Sequence, residues 1–275
     1  MRVPLRAAGM VALSTLVLTG CATTPPSTGT EHANTATHVH AIVANPDGDG
    51  FLLGTHESIY TATDDGELGT RIGVDFDAMG LTVVGEDLIA SGHPGPNTPA
   101  ELGKGNLGII RSRDGAGTWQ PVAFTSEKDF HALTVGPDGT LYGQATDSSD
   151  LLVSIDLGAT WTPTSASLLA FGLAADAAGR LIATTPNRPQ VSTDGGKTFV
   201  PLTGAPNLYV IATSADHERI VGVDDEDVIW TNTVGGPAWT RVGTVHGVAQ
   251  AITITNTGEI LVADDSGLTL LPADD

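Results

Sequence analysis

A turn pattern of the form Ser-x-Asp-x-x-x-Thr-aromatic occurs three times in this chain, at residues 112–119, 154–161 and 192–199. The copies begin 42 and 38 residues apart. An interval of about 40 residues is the length of one four-stranded blade in a radial repeat fold. The pattern therefore predicts a β-propeller, and it leaves few other fold classes open.

The blades can be counted by aligning the first strand of each repeat. One equivalent position, termed the channel position, is occupied in turn by His40, Met79, His131, Phe171, Tyr209 and Gln250. The spacings are 39, 52, 40, 38 and 41 residues. Runs of β-branched residues alternate around these positions, and no segment has a sustained helical period. We predict an all-β, six-bladed β-propeller over residues 38–275, with very little helix.

The repeated turn is the Asp box, and each of its residue types has a structural task. The carboxylate accepts hydrogen bonds from its own turn, the hydroxyls close the loop, and the aromatic ring packs under the neighbouring sheet. We expect the boxes between the third and fourth strands, on the face away from the functional site. The structural residues are then Asp114, Trp119, Asp156, Trp161, Asp194 and Phe199.

The N-terminal residues have the pattern of an export signal. Two arginines precede an apolar run over residues 7–18, which is too short to span a bilayer of roughly 30 Å. The run ends at Leu18-Thr19-Gly20-Cys21, which resembles the lipobox of bacterial lipoproteins. We therefore predict a signal peptide over residues 1–20, acylation of Cys21, and a polar tether over residues 21–37. The domain would be lipid-anchored to the cell membrane and face outside the cytoplasm.

Charge and cysteine content exclude some partners. The chain has 12 basic and 32 acidic residues and a net charge of −20. Loss of Arg2 and Arg6 with the signal peptide changes this to 10 − 32 = −22. Such a surface repels phosphate backbones, so no nucleic acid partner is expected. Cys21 is the one cysteine of the sequence, and no intramolecular disulfide can form.

Histidine and methionine are concentrated at one mouth of the predicted channel. His40, Met79 and His131 occupy channel positions, and His56 and His93 follow the second strands of blades one and two. Two residues before a channel position, on the same strand face, lie His38, Asp77 and Asp129. Imidazole and thioether suit copper, whereas imidazole with carboxylate suits zinc. We therefore expect a ligand site formed by all eight residues, with His40, His56, His93, His131 and Met79 as metal ligands.

Two other interpretations of the same residues stay open. The histidines can be buried groups that hydrogen-bond around a crowded channel without a cofactor. They can also serve as hydrogen-bonding and acid–base groups for a small molecule or glycan. Residues 92–106 form a long loop on this face, and their prolines favour an ordered lid over the mouth.

The Asp boxes resemble those of the BNR/sialidase-type propellers. Together with the lipobox, the His38-Val39-His40 start, Ser91-Gly92-His93-Pro94 and Asp129-Phe130-His131-Ala132, they make the chain similar to bacterial lipoproteins described as sialidase-like glycosyl hydrolases. The resemblance implies the fold. Sialidases also use an arginine triad, an Arg-Ile-Pro stretch, and a Tyr nucleophile with a Glu partner. This sequence has no Arg-Ile-Pro stretch, and Tyr209 has no adjacent Glu.

Three functional classes follow. The first is a binding or assembly lipoprotein with a metal or other ligand at the channel mouth. The second is a glycoside hydrolase that uses two mouth carboxylates as acid and base. Its candidate carboxylates are Asp77, Asp129, Asp225 and Asp265. The third is a protein-interaction module at the cell surface without a cofactor.

Overall fold

The computed structural model describes residues 38–236 and 238–273. They form six antiparallel sheets, which are the six blades of a β-propeller. The predicted fold is therefore confirmed. The predicted signal peptide, Cys21 and the tether up to residue 37 lie outside the described residues.

The first three blades each have four strands in sequence order. Blade one contains β1 (Val39–Ala44), β2 (Phe51–Thr55), β3 (Ile59–Ala62) and β4 (Leu68–Ile72). Blade two contains β5 (Phe76–Val84), β6 (Asp87–Pro94), β7 (Ile109–Ser112) and β8 (Gln120–Ala123). Blade three contains β9 (Phe130–Val135), β10 (Leu141–Ala145), β11 (Asp150–Ser154) and β12 (Thr162–Ser167).

The remaining blades follow the same order. Blade four contains β13 (Gly172–Ala175), β14 (Leu181–Thr184), β15 (Gln190–Ser192) and β16 (Val200–Pro201). Blade five contains β17 (Leu208–Thr213), β18 (Arg219–Asp224), β19 (Val228–Thr233) and β20 (Thr240–Thr244). Blade six has three described strands, β21 (Ala249–Ile254), β22 (Ile260–Asp264) and β23 (Gly267–Leu271). Residues 28–37, which we expect to supply its fourth strand, lie outside the described part.

Hydrophobic clusters join each blade to the next around the whole ring. Leu52 and Ile59 of blade one share a cluster with Phe76 and Leu88 of blade two. The same arrangement recurs at every later boundary, including the one where blade six meets blade one. We call these boundaries seams, and the fold is held together by apolar burial at six of them.

The Asp boxes have the predicted hydrogen bonds and position. In the second box, the Thr160 backbone N–H and hydroxyl donate to Asp156 at 2.8 and 2.6 Å, and Ser154 Oγ donates to the same carboxylate at 2.8 Å. The turn joins the third and fourth strands of its blade. Its Trp161 ring stacks on Phe130, with centroids 5.3 Å apart. The boxes therefore stabilise the ring on the face opposite the histidines.

A β-bulge occurs at the channel position of five blades. In blade one, Val39 pairs with Thr55 and Ala41 pairs with Gly54, so that His40 is the extra residue. The same shift leaves these residues without a partner in their own blades: Met79, His131, Tyr209 and Gln250. Bulges redirect a side chain and are common next to functional sites. The side chains at the mouth are thus set by a repeated backbone irregularity.

The long loop after β6 is anchored and is not a free lid. It contains a short 3₁₀ helix, η1 (Ala100–Leu102), and Leu102 is buried in the core shared by blades one and two. The Asn97 backbone N–H and side-chain amide both donate to Asp75 Oδ2, at 3.1 and 3.2 Å. The predicted order of the loop is therefore borne out.

Among the described residues, no helix is long and apolar enough to cross a membrane.

Candidate functional site

The histidines and aspartates of the mouth form two clusters, each at a seam. Cluster one contains His40 and His56 of blade one and Asp77 of blade two, and cluster two contains His93 of blade two with Asp129 and His131 of blade three. Within each cluster, one ligand atom from every residue lies within 4.8 Å of the others. Both clusters therefore bring together residues that are far apart in sequence.

Cluster one forms a nearly equilateral triangle of possible ligand atoms. His40 Nε2 lies 3.3 Å from His56 Nδ1 and 3.2 Å from Asp77 Oδ1. The third side, from His56 Nδ1 to Asp77 Oδ1, is 3.0 Å. Two ligands with bonds of about 2.1 Å to one ion are about 3.0 Å apart at right angles and about 3.4 Å apart in a tetrahedron. The triangle therefore has the dimensions of one face of a metal coordination sphere.

His38 lies beside this triangle. Its ring centroid is 4.8 Å from that of His40 and 5.3 Å from that of His56. The backbone N–H of His56 donates to the carbonyl of His38 at 3.2 Å, which holds the two histidines across the start of blade one. A third imidazole ring therefore lies next to the three ligand atoms of cluster one.

The electrostatics of cluster one keep an imidazole neutral. Burial lowers the pKa of His40 to about 4, helped by the nearby histidines and opposed by Asp77. Burial and His56 also lower the pKa of His38. Asp77 Oδ1 is buried, and its contacts with the two rings do not have hydrogen-bond geometry. A neutral imidazole and an unpartnered carboxylate oxygen are the forms that bind cations.

Cluster two differs in its hydrogen bonding. His131 Nε2 lies 2.6 Å from Asp129 Oδ2, which is closer than any contact in cluster one. His93 Nε2 lies 3.3 Å from the same oxygen, and its Nδ1 lies 3.0 Å from the carbonyl of Gly105. Asp129 is 4% exposed, and its other oxygen, Oδ1, has no hydrogen-bond partner. The long loop thus contributes to the site by orienting His93.

One cavity of about 940 Å³ is lined by all six channel positions. These are His40, Met79, His131, Phe171, Tyr209 and Gln250. The repeat alignment thus identified the residues around the channel correctly. The cavity also borders residues of the opposite face such as Asn45 and His217, so it follows the channel through the ring.

The expected set of metal ligands, His40, His56, His93, His131 and Met79, is divided between the two clusters and the channel wall. Sequence register indicated a single converging mouth. It could not show that each aspartate reaches back across a seam to the preceding blade, as Asp77 does to His56. Gly105 was also missed, because a backbone carbonyl has no signature in the sequence.

The other candidates for catalysis have structural contacts. Asp225 Oδ2 accepts a hydrogen bond from Asn207 Nδ2 at 2.8 Å, and Asp265 Oδ1 accepts one from the Val248 backbone N–H at 3.0 Å. Burial and Asp227 raise the pKa of Tyr209. A raised pKa makes the phenol a poorer nucleophile, which is the opposite of what a sialidase-type tyrosine requires.

The comparisons with known proteins agree with the fold. No family model and no curated protein sequence matches the chain. A solved gluconolactonase from Xanthomonas campestris has a TM-score of 0.66 and 12% identity, over 88% of both chains. A streptogramin B lyase has a TM-score of 0.55 and 14% identity, over 86% of this chain and 94% of the lyase.

A third solved structure is larger. An ancestral GH74 enzyme has a TM-score of 0.53 and 14% identity over 83% of this chain, which spans only 35% of that enzyme's length. Likeness at these identities shows the fold alone. The protein is thus a six-bladed β-propeller with two His/Asp clusters at one mouth, and its structural neighbours include enzymes.

Proposed function

We propose that this protein is a lipid-anchored, extracytoplasmic propeller that binds a transition metal ion at cluster one and acts as a binding or assembly module. The observation that carries the proposal is the triangle of His40 Nε2, His56 Nδ1 and Asp77 Oδ1, with sides of 3.0 to 3.3 Å. A single ion held by all three atoms would account for these mutual distances.

The donor set favours copper or zinc. Two imidazoles and one carboxylate, with the His38 ring alongside, are ligands of intermediate softness that suit both ions. Met79 lines the same cavity, and its thioether favours copper over zinc. Calcium and magnesium prefer all-oxygen sites and fit this set poorly.

Anchoring rests on the sequence alone. The apolar run before Leu18-Thr19-Gly20-Cys21 supports export and acylation of Cys21. A site on an exported, tethered domain would meet metal ions outside the cytoplasm. This location suits capture of an ion or its delivery to a protein partner.

A glycoside hydrolase is the alternative. It needs one carboxyl group as acid and a second as base or nucleophile. Asp77 and Asp129 each contact two histidines instead. Because both of these carboxylates contact histidines, the site favours cation binding over hydrolysis of a glycosidic bond.

The test uses the mature domain, residues 22–275, purified from chelator-treated cells. Calorimetric titration with Cu²⁺ and with Zn²⁺ is compared between the wild type, the His40→Ala/His56→Ala double variant and His246→Ala, an exposed histidine outside both clusters. We expect the double variant to lose the tighter binding event and the control to retain it. Equal binding by the double variant and the wild type would refute the proposal. Release of sugar from fluorogenic glycosides would favour the hydrolase.

A further inference from the structure

Cluster two presents a contact between two acceptors. The Gly105 carbonyl can only accept a hydrogen bond, so Nδ1 of His93, 3.0 Å away, must carry the proton. In the neutral ring, Nε2 then has a lone pair, and it lies 3.3 Å from the Asp129 carboxylate. Two lone pairs at this distance repel each other unless a positive charge lies between them.

A metal ion bound between the two atoms would provide this charge. Metal-binding histidines generally donate their other ring N–H to a carbonyl or carboxylate, as His93 does to Gly105. Asp129 is 4% exposed and has a second oxygen, Oδ1, without a hydrogen-bond partner. A bound ion can attract this buried oxygen as well as Oδ2.

The ligand set is complete enough for an open site. His93, Asp129 and His131 provide two imidazoles and one carboxylate, with ligand atoms within 4.8 Å of one another. Three protein ligands of this kind are typical of zinc sites that keep a position for water or substrate. His131 also lines the central cavity, from which such a molecule can arrive.

We propose that cluster two is a second, separate site for a zinc-type divalent ion, with at least one coordination position open to water or a small anion from the cavity. Its residues are distinct from those of cluster one, so it does not depend on the function proposed for that cluster. On binding, His93, Asp129 and His131 each donate a lone pair to the ion, and any proton on Nε2 of His131 leaves to solvent. No covalent bond other than that N–H bond is broken.

Co²⁺ is a suitable probe because its absorption spectrum reports both occupancy and coordination number. Four proteins are titrated with Co²⁺: the wild type, His40→Ala/His56→Ala, His93→Ala/His131→Ala and the His246→Ala control. We expect two equivalents to bind to the wild type and the control, and one to each double variant. Azide is then added to cobalt-loaded His40→Ala/His56→Ala, whose remaining ion is at cluster two, and its spectrum should change.

The outcomes separate the two proposals. If His93→Ala/His131→Ala binds as much Co²⁺ as the wild type, cluster two is not a metal site, whatever happens at cluster one. A spectrum that azide does not change would refute the open position. His93→Ala/His131→Ala must have the same circular dichroism spectrum as the wild type. If it does not fold, Asp129→Asn replaces it, because this change keeps the shape of the buried side chain and removes its charge, and it should bind one equivalent fewer.

Discussion

Asp77 of blade two places its Oδ1 3.0 Å from Nδ1 of His56, which follows the second strand of blade one. The two residues belong to different sheets, and only the packing of one blade on the next brings them together. Asp129 of blade three stands in the same relation to His93 of blade two, at 3.3 Å. The mouth thus repeats one arrangement at two successive seams.

Asp77→Asn should weaken Cu²⁺ or Zn²⁺ binding at cluster one by at least about 10-fold, since even residues that only support metal ligands cost 10 to 100-fold when changed. The asparagine keeps the shape and removes the charge. The affinity is measured by calorimetry in the His93→Ala/His131→Ala background, which lacks two ligands of cluster two. The same background with and without Asp77→Asn then reports on cluster one alone. Unchanged affinity would show that the carboxylate does not contact the ion.

Gly92→Ala should disturb the first cluster through the backbone. Gly92 has a φ of +149°, and an added Cβ would lie 1.8 Å from the carbonyl oxygen of Asp77. The strand carrying Asp77 must therefore move. We expect weaker metal binding than in Gly85→Ala, a glycine that also has positive φ but has open space around it. Equal affinities for the two variants would argue against a role for strand position.

The two box tryptophans allow a matched test of one hydrogen bond. Trp161 Nε1 donates to the Gly158 carbonyl at 2.8 Å, whereas the buried Trp119 Nε1 has no partner. Trp119 packs edge-on against Phe76 and Trp161 stacks on Phe130, and the ring centroids of each pair are 5.3 Å apart. Trp161→Phe should therefore destabilise the domain by about 1 kcal/mol more than Trp119→Phe. Urea unfolding of both variants measures the difference, and the reverse order would contradict it.

Acid should remove the contribution of an Asp box. Hydrogen bonds from Thr198 and Ser192 hold the pKa of Asp194 well below its usual range. Because the folded pKa lies below the unfolded one, the stabilisation is complete above about pH 4 and is lost as the pH falls through the folded value. Melting temperatures of the wild type and Asp194→Asn should differ at pH 7 and approach each other below about pH 3. Glu101→Gln, an exposed carboxylate outside the boxes, is the control.

Cys21→Ala should move the full-length protein from the membrane fraction to the soluble exported fraction. The thiol of the lipobox-like Leu18-Thr19-Gly20-Cys21 is the acylation site that we predict. Mass spectrometry of the wild type should find residues 1–20 absent and a lipid on Cys21. Retention of residues 1–20, or membrane association of the variant, would contradict the anchor.

Much of the fold was predictable because each blade repeats the same local chemistry. The Asp-box residues identify the turns in which they lie, and the spacing of 38–52 residues between repeats aligns the channel positions. The site was only partly predictable. The repeat register predicts which residues face the channel mouth, but it does not predict which of their side chains come into contact. The seam contacts depend on the rotation between blades. The bulge at His40 also depends on strand pairing, which single-sequence patterns do not specify.

The two clusters occupy two of the six seams, so ions bound there would make the ring mechanically asymmetric. They would link blade one to blade two and blade two to blade three. Blade six meets blade one through apolar packing and a hydrogen bond from the Val39 backbone N–H to Gln250 Oε1 at 2.9 Å. Metal loading should therefore slow amide hydrogen exchange most in the first three blades and leave exchange at the junction of blades six and one nearly unchanged.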